Sequence, residues 1–395
     1  MRLAFWKKDK TKGDGKKKPV WREWLDAGIF AIVAATIIRT FFIEAYTIPT
    51  PSMEGSMLVN DFLFVSKMAY GPRIPMTPVA VPLVHNTFLG GKSYSESVQW
   101  KYHRLPGFGH VERNDVVVFN FPNGDTVIAE MPDRDYYEIC RQEGGREVVQ
   151  SKYTIITRPV DKKENYIKRC IGLPGDKIEI VDGIVSVNDQ PAVLFPHSKM
   201  DYIVATKAPG LSSDFLEDNG ITIKDAGSNI YQLNIPNDAL DAVKTNPAVA
   251  SIHLAMLPKG ATADWAFPQD PANFHWNRDN YGPLVIPKKG STITLTPQNI
   301  ALYRRIISRY EDNKLEEKDG KFFINGKETT TYTFKMDYYW MMGDNRHDSA
   351  DSRYWGFVPE DHVVGKASFV WLSYEGSLFH LRWSRLFHSV KSLSK

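Results

Sequence analysis

Cysteine is nearly absent. Two thiols in 395 residues make no disulfide framework, and Cys140 and Cys170 leave open whether they pair in an exported domain. Charge excess is missing too: Lys and Arg number 49 against 46 Asp and Glu. So slight a surplus gives no overall field that would mark a nucleic-acid binder, and no DNA-binding segment is recognisable. None of the ten histidines falls in a G-x-S-x-G or comparable local frame, which removes the usual sequence mark of a Ser-His-Asp hydrolase. What remains is a chain with 43% hydrophobic residues, ample for a core and long enough for one large domain or two ordinary ones.

The charge that exists is unevenly placed. Residues 1–22 hold nine Lys or Arg against Asp9 and Asp14, and Ala27 to Ile43 then carries a single charge, Arg39. That run just reaches the roughly 17–25 apolar residues that a membrane-spanning helix requires. Trp21 and Trp24 stand where interfacial aromatics would, and the basic flank places the N-terminus in the cytoplasm by the positive-inside rule. Arg39, near the helix end, can reach back to the headgroups. No small-x-small cleavage site precedes the prolines that follow, so an uncleaved anchor is expected rather than a secretory signal. Everything after Glu44 is then exported.

Thr47-Ile48-Pro49-Thr50-Pro51-Ser52-Met53 comes next. Its prolines fix φ and push the residues before them out of the helical region, which holds Ser52 on a stiff, extended run. A serine so placed is ordinarily a turn residue. Strand text follows at Asn60–Lys67, Asn114–Pro122, Asn165–Ile171, Thr329–Tyr339 and Val363–Leu372, and Asp182-Gly183 marks a hairpin between Asp176 and Asn188. Residues 71–113, broken by Pro72, Pro75, Pro78, Pro82 and Pro106, read as a long loop. The stretch 191–330 reads as an inserted lobe with one clear helix, Thr296 capping it, Pro297 at its first position, and Ile300, Tyr303, Ile306, Ile307 and Tyr310 on one face. The expected fold is mainly β: a basic cytoplasmic segment 1–20, a transmembrane anchor 21–45, a β domain in two parts, 46–190 and 331–375, around the lobe, and a basic tail 376–395 compatible with lying on a membrane surface.

A serine hydrolase without a histidine frame needs another base, and lysine can serve if burial keeps it neutral, since desolvation lowers its pKa by as much as about 3–5 units. Alternation along Asn165–Ile171 sets Tyr166, Lys168 and Cys170 on one face and Ile167, Arg169 and Ile171 on the other. Lys168 is therefore flanked by largely apolar neighbours, and it is the lysine best suited to that role.

At this point the chain resembles the bacterial type I signal peptidases, membrane-anchored Ser/Lys endopeptidases. Four stretches in order carry the resemblance: Ile48 to Met53, Asp61 to Gly71, Tyr166 to Asp176, and Gly343 to Arg346 with Ser349 to Gly356. The resemblance covers roughly 20–190 and 330–375. It implies a nucleophile at Ser52, a general base at Lys168, an oxyanion donor at Thr50 beside the Ser52 N–H, and a lysine-orienting hydroxyl at Ser349. Asp344, Asp351 and Arg353 match residues that brace the site. Pro51 stands where Gly is common, and His347-Asp348 replaces the more usual Asp-Asn. The implied substrates are preproteins cut after small-x-small sites, and the implied location is the inner (cytoplasmic) membrane, single-pass in the lipid bilayer with the catalytic domain on the periplasmic side. No metal, cofactor or nucleic acid is implied. The alternative reading is a non-catalytic, membrane-tethered scaffold with a partner-binding lobe.

Overall fold

The computed structural model of the chain describes residues 19–122, 126–207, 210–377 and 379–395. The basic segment expected over 1–20 lies almost wholly outside them. Val20–Phe41 is one helix of 22 residues with none buried, about 33 Å long at a rise of about 1.5 Å per residue. With a mean hydropathy of 1.6 in its apolar window, it is long and apolar enough to cross a membrane. It stops earlier than the expected anchor at 21–45, because Ile43–Thr47 is already a strand. Arg39 also differs from expectation: its guanidinium turns toward the protein, donating to Glu44 Oε1 at 2.7 Å and to the Leu83 carbonyl.

Seven antiparallel strands form the central sheet, in the spatial order Ile43–Thr47, Asp61–Ser66, Val363–Ser373, Val116–Asn120, Asn165–Gly172, Tyr338–Met342 and Val358–Pro359. Most of the long apolar runs expected as strands are in it. Val116 and Val118 pack into the cluster of Met53, Met57, Leu63 and Val65, while Val117 and Phe119 join Cys170, Met341 and Trp355. Strand Val116–Asn120 is thus buried on both faces, which is why its sequence shows no polar alternation. Four spacings of about 4.8 Å would separate the first strand from Asn165–Gly172 by about 19 Å in a flat sheet. Register shifts at Phe62/Leu63, Phe64/Val65 and Val363/Gly365 break the ladder; such bulges sharpen the twist, and the sheet is curled.

The hairpin expected at Asp182-Gly183 is present, joining Lys177–Val181 to Ile184–Val187 with positive φ at both turn residues. Tyr281–Val285 adds to the same small sheet, so the stretch 191–330 does not share one core. Lys199–Thr206, Thr222–Ala226, Ile230–Pro236 and Val249–Leu254 form their own four-stranded sheet over Val204, Leu233, Ile235 and Val243. Phe267, Tyr281 and Leu295 instead pack with Ile171, Trp340 and Phe357. The expected helix begins at Ile300 with Asn299 as its cap and continues to Tyr310 as a π-turn. Thr296 stands in the turn before it, its hydroxyl accepting from the Asn299 N–H, and all five residues expected on the buried face are buried. The strand expected over Thr329–Tyr339 is broken into Lys327–Thr329, Thr331–Thr333 and the start of Tyr338–Met342.

Both cysteines are free thiols. The C-terminal segment packs on the central sheet: Val390 is buried beside Met53 and Met57. Arg385 forms an ion pair with Asp61, a fully buried carboxylate that also accepts from the Leu58 N–H. Arg385→Ala would strand that carboxylate without its partner, so we expect a loss of about 3 kcal/mol in unfolding free energy, read from urea denaturation of the detergent-solubilised chain.

Candidate active site

The run after the edge strand turns inward. Thr50 is extended and exposed, and Pro51–Met53 is a single helical turn that leaves Ser52 buried. Pro51 opens that turn, where a missing N–H costs nothing. Lys168 lies in the middle of Asn165–Gly172, 4% exposed. Its Nζ is 2.6 Å from Ser52 Oγ and donates to the Ile167 carbonyl at 3.0 Å. The two residues are 116 positions apart in sequence, and the curl of the sheet brings them together.

Burial shifts the amine toward its neutral form. Burial pulls the Lys168 pKa down from its ordinary value to about 8, against the opposing attraction of Asp351 and Asp344. Both carboxylates are already engaged. Asp344 takes two bonds from Arg169, Nε to Oδ1 at 2.7 Å and Nη2 to Oδ2 at 2.6 Å. Asp351 caps the helix Ser352–Trp355 and accepts from the Gly343 N–H and from the Arg353 side chain. Burial pushes the Asp351 carboxyl up, but Arg353 beside it more than offsets this and holds it below the usual carboxylate range. The two acids are thus satisfied by arginines, and the lysine is left to the serine.

Ser349 behaves differently from expectation. Its hydroxyl is buried near Ser52 without a hydrogen-bond partner, so the contact with Lys168 is not made. Thr50, two residues before Ser52, is exposed. Two contributors escaped the sequence reading. Arg169 anchors Asp344 and also donates to Ser56 Oγ at 2.8 Å; a charge on a buried strand face demands a partner, and that was the available signal. Asn345 donates its backbone N–H to the Ser52 carbonyl at 3.2 Å and its Nδ2 to the Pro51 carbonyl at 3.4 Å. Nothing in its own letter marked it beyond its place in a recognised motif.

A cavity of about 240 Å³ lies apart from the pair, lined by Arg39, Glu44 and Tyr46, by Asn165 and by the loop from Arg73 to His85, and neither Ser52 nor Lys168 lines it. Among the described residues no cluster of His, Cys, Asp or Glu could hold a metal ion. The arrangement is a hydroxyl with a desolvated amine against it, which suits acyl transfer.

The model of the family described as Signal peptidase, peptidase S26 matches residues 21–224 and 285–372. The chain is similar to a signal peptidase I of Buchnera aphidicola subsp. Baizongia pistaciae, 23% identical over 342 residues, or 86% of this chain and 73% of that protein. A signal peptidase I of Haemophilus influenzae is 22% identical over 371 residues, 92% of this chain and 75% of its own length. One of Rickettsia akari is 28% identical over 188 residues, 46% and 48% of the two chains.

Gly343 packs tightly against this centre: a Cβ there would lie 2.3 Å from Ser349 Oγ and 2.4 Å from the Ser52 carbonyl oxygen. Gly343→Ala must therefore displace the serine turn. A misplacement of about 1 Å costs on the order of 10²-fold, so we expect a turnover loss of that size with the circular dichroism spectrum retained.

Proposed function

The chain belongs to the signal peptidase, peptidase S26 family, and from that premise we propose that it cleaves signal peptides from exported preproteins by attack of Ser52 on the scissile carbonyl, with Lys168 as general base. The observation that carries this reading is the 2.6 Å contact between Lys168 Nζ and Ser52 Oγ in a buried setting. Neutral Lys168 takes the hydroxyl proton as Oγ bonds to the carbonyl carbon. The oxyanion is met by the Ser52 N–H and the Thr50 hydroxyl, a donor worth on the order of 10²–10³ in turnover. The lysine then protonates the leaving amine, and the acyl-enzyme is hydrolysed by water with Lys168 again as base. Ser349 enters as an orienting hydroxyl once the site closes on substrate, and Asp344, Asp351 and Arg353 hold the surrounding loop.

The membrane assignment rests on the helix Val20–Phe41. We place its basic N-terminal side in the cytoplasm and the β domain on the periplasmic side of the inner membrane, with the lipid bilayer around the helix. Eleven residues from Phe41 to Ser52 reach at most about 40 Å when extended, which keeps the nucleophile near the surface where a signal peptide emerges. Small-x-small preference suits an extended substrate whose small side chains leave its backbone free to approach the buried Ser52.

Ser52→Ala and Lys168→Ala should each abolish cleavage of a preprotein in detergent micelles while the chain still folds; full activity in either contradicts the mechanism. Only the neutral lysine works as base. The value of kcat/KM should therefore fall about tenfold per pH unit well below the Lys168 pKa of about 8 and level off above it.

A further inference from the structure

The loop Gly343–Arg353 is held from two sides. One side is the pairing of Arg169 with Asp344 described above. The other is the four-stranded sheet of residues 199–254, whose later part falls in 225–284, between the two stretches that the family model matches. Lys199 makes a parallel bridge to Asn345, its N–H donating to the Asp344 carbonyl at 3.0 Å and its carbonyl accepting from the Arg346 N–H at 2.9 Å. The Lys199 ammonium reaches Glu54, two residues past Ser52, at 3.2 Å.

We propose that Asn234, from the unmatched segment, is a positioning residue for Ser52 that acts through Asn345. This rests on the reading of Ser52 as nucleophile. Asn345 carries both carbonyls of the serine turn, those of Pro51 and Ser52. Its remaining side-chain atom, Oδ1, accepts from Asn234 Nδ2 at 2.9 Å. Asn234 Nδ2 also donates to Asp201 Oδ1 at 2.7 Å, while its own Oδ1 is buried with no partner. The amide is thus oriented for its donors at the expense of its acceptor. Both asparagines are 1% exposed, so water does not substitute for either. The relay fixes which way the Asn345 amide faces: with Oδ1 satisfied by Asn234, only Nδ2 is left to face the Pro51 carbonyl.

The His347-Asp348 departure from the family pattern fits the same account. His347 Nδ1 accepts from the Asp201 N–H at 3.1 Å, which leaves the ring proton on Nε2 facing Asp279 Oδ1 at 2.9 Å. Asp348 pairs with Lys224 at 2.6 Å. Asp279, like Asn234, is in the unmatched segment. Residues unusual in the loop are therefore met by Asp201 and Lys224 of the four-stranded sheet and by Asp279 of the unmatched segment.

Asn234→Ala, Asn345→Ala and the double variant, made in the full-length chain in detergent micelles, test this. Asn234→Ala should lower kcat about tenfold with KM within about twofold, because it turns the serine without touching the substrate. In the Asn345→Ala background it should cost nothing further, since the two act in series. Asn234→Leu, similar in shape but without donors, carries the test if the alanine variant melts below assay temperature. A kcat within twofold of native, or losses that multiply in the double variant, overturns the proposal. Ser52→Ala is measured alongside. If it is inactive and Asn234→Ala is not impaired, this inference fails alone; if it remains active, the assignment of the nucleophile fails.

Discussion

The chemistry proposed for this site depends on keeping one lysine dry. An ammonium in water is a poor base near neutral pH, and the protein changes that by burial: Lys168 is surrounded by the Tyr166 ring, with its Nζ 5.6 Å from the centroid, by Val117 across the ladder, and by the serine turn. Desolvation disfavours the charged form and so makes the neutral amine accessible, with the pKa lowered to about 8. Two buried carboxylates nearby would undo this if either were free to attract the ammonium. Both are instead held by arginines, Asp344 by Arg169 and Asp351 by Arg353. The ion pairs need not add stability, since buried pairs often do no better than apolar replacements. Their effect is to absorb negative charge that would otherwise keep the lysine protonated.

The second constraint is geometric. The serine sits in the turn that follows an edge strand and the lysine on a strand four places away, so the curl of the sheet is what brings them together. Close packing then fixes the approach. Gly343 leaves room only for hydrogen against Ser52, Gly365 only for hydrogen against the Ser66 carbonyl, and Arg385 ties the residues just after the serine turn to the C-terminal segment. That segment is basic, yet its charge is used inward as well as outward. Arg385 is spent on Asp61, and the Ser394 hydroxyl accepts from Arg169 at 3.0 Å.

Much of this was legible in the letters. The apolar helix, the buried strand Val116–Asn120, the Asp182-Gly183 hairpin and the facing of Lys168 all follow from local rules of period and turn chemistry. The contact of Ser52 with Lys168 was legible only through the order of four motifs, because a separation of 116 residues leaves no periodic trace. Other features were hidden for physical reasons. Arg39 turning to Glu44 and Leu83 depends on a loop 44 residues away. The stretch 191–330 lacks strict alternation because its strands are divided among four sheets, one with its own core and others packing into that of the central fold. Ser349 without a partner, and Asn345 with several, are consequences of tertiary placement that no residue type announces.

The account stands or falls on the state of the Lys168 amine. The most direct measurement is an NMR titration of the lysine side-chain resonances in the full-length chain, with the Lys168 signal assigned by its loss in Lys168→Arg. The structure predicts a midpoint near 8, well below that of the solvent-exposed lysines. A midpoint with the ordinary lysines, above about 10, would mean that almost no neutral amine is present at working pH and would contradict its proposed role as the base.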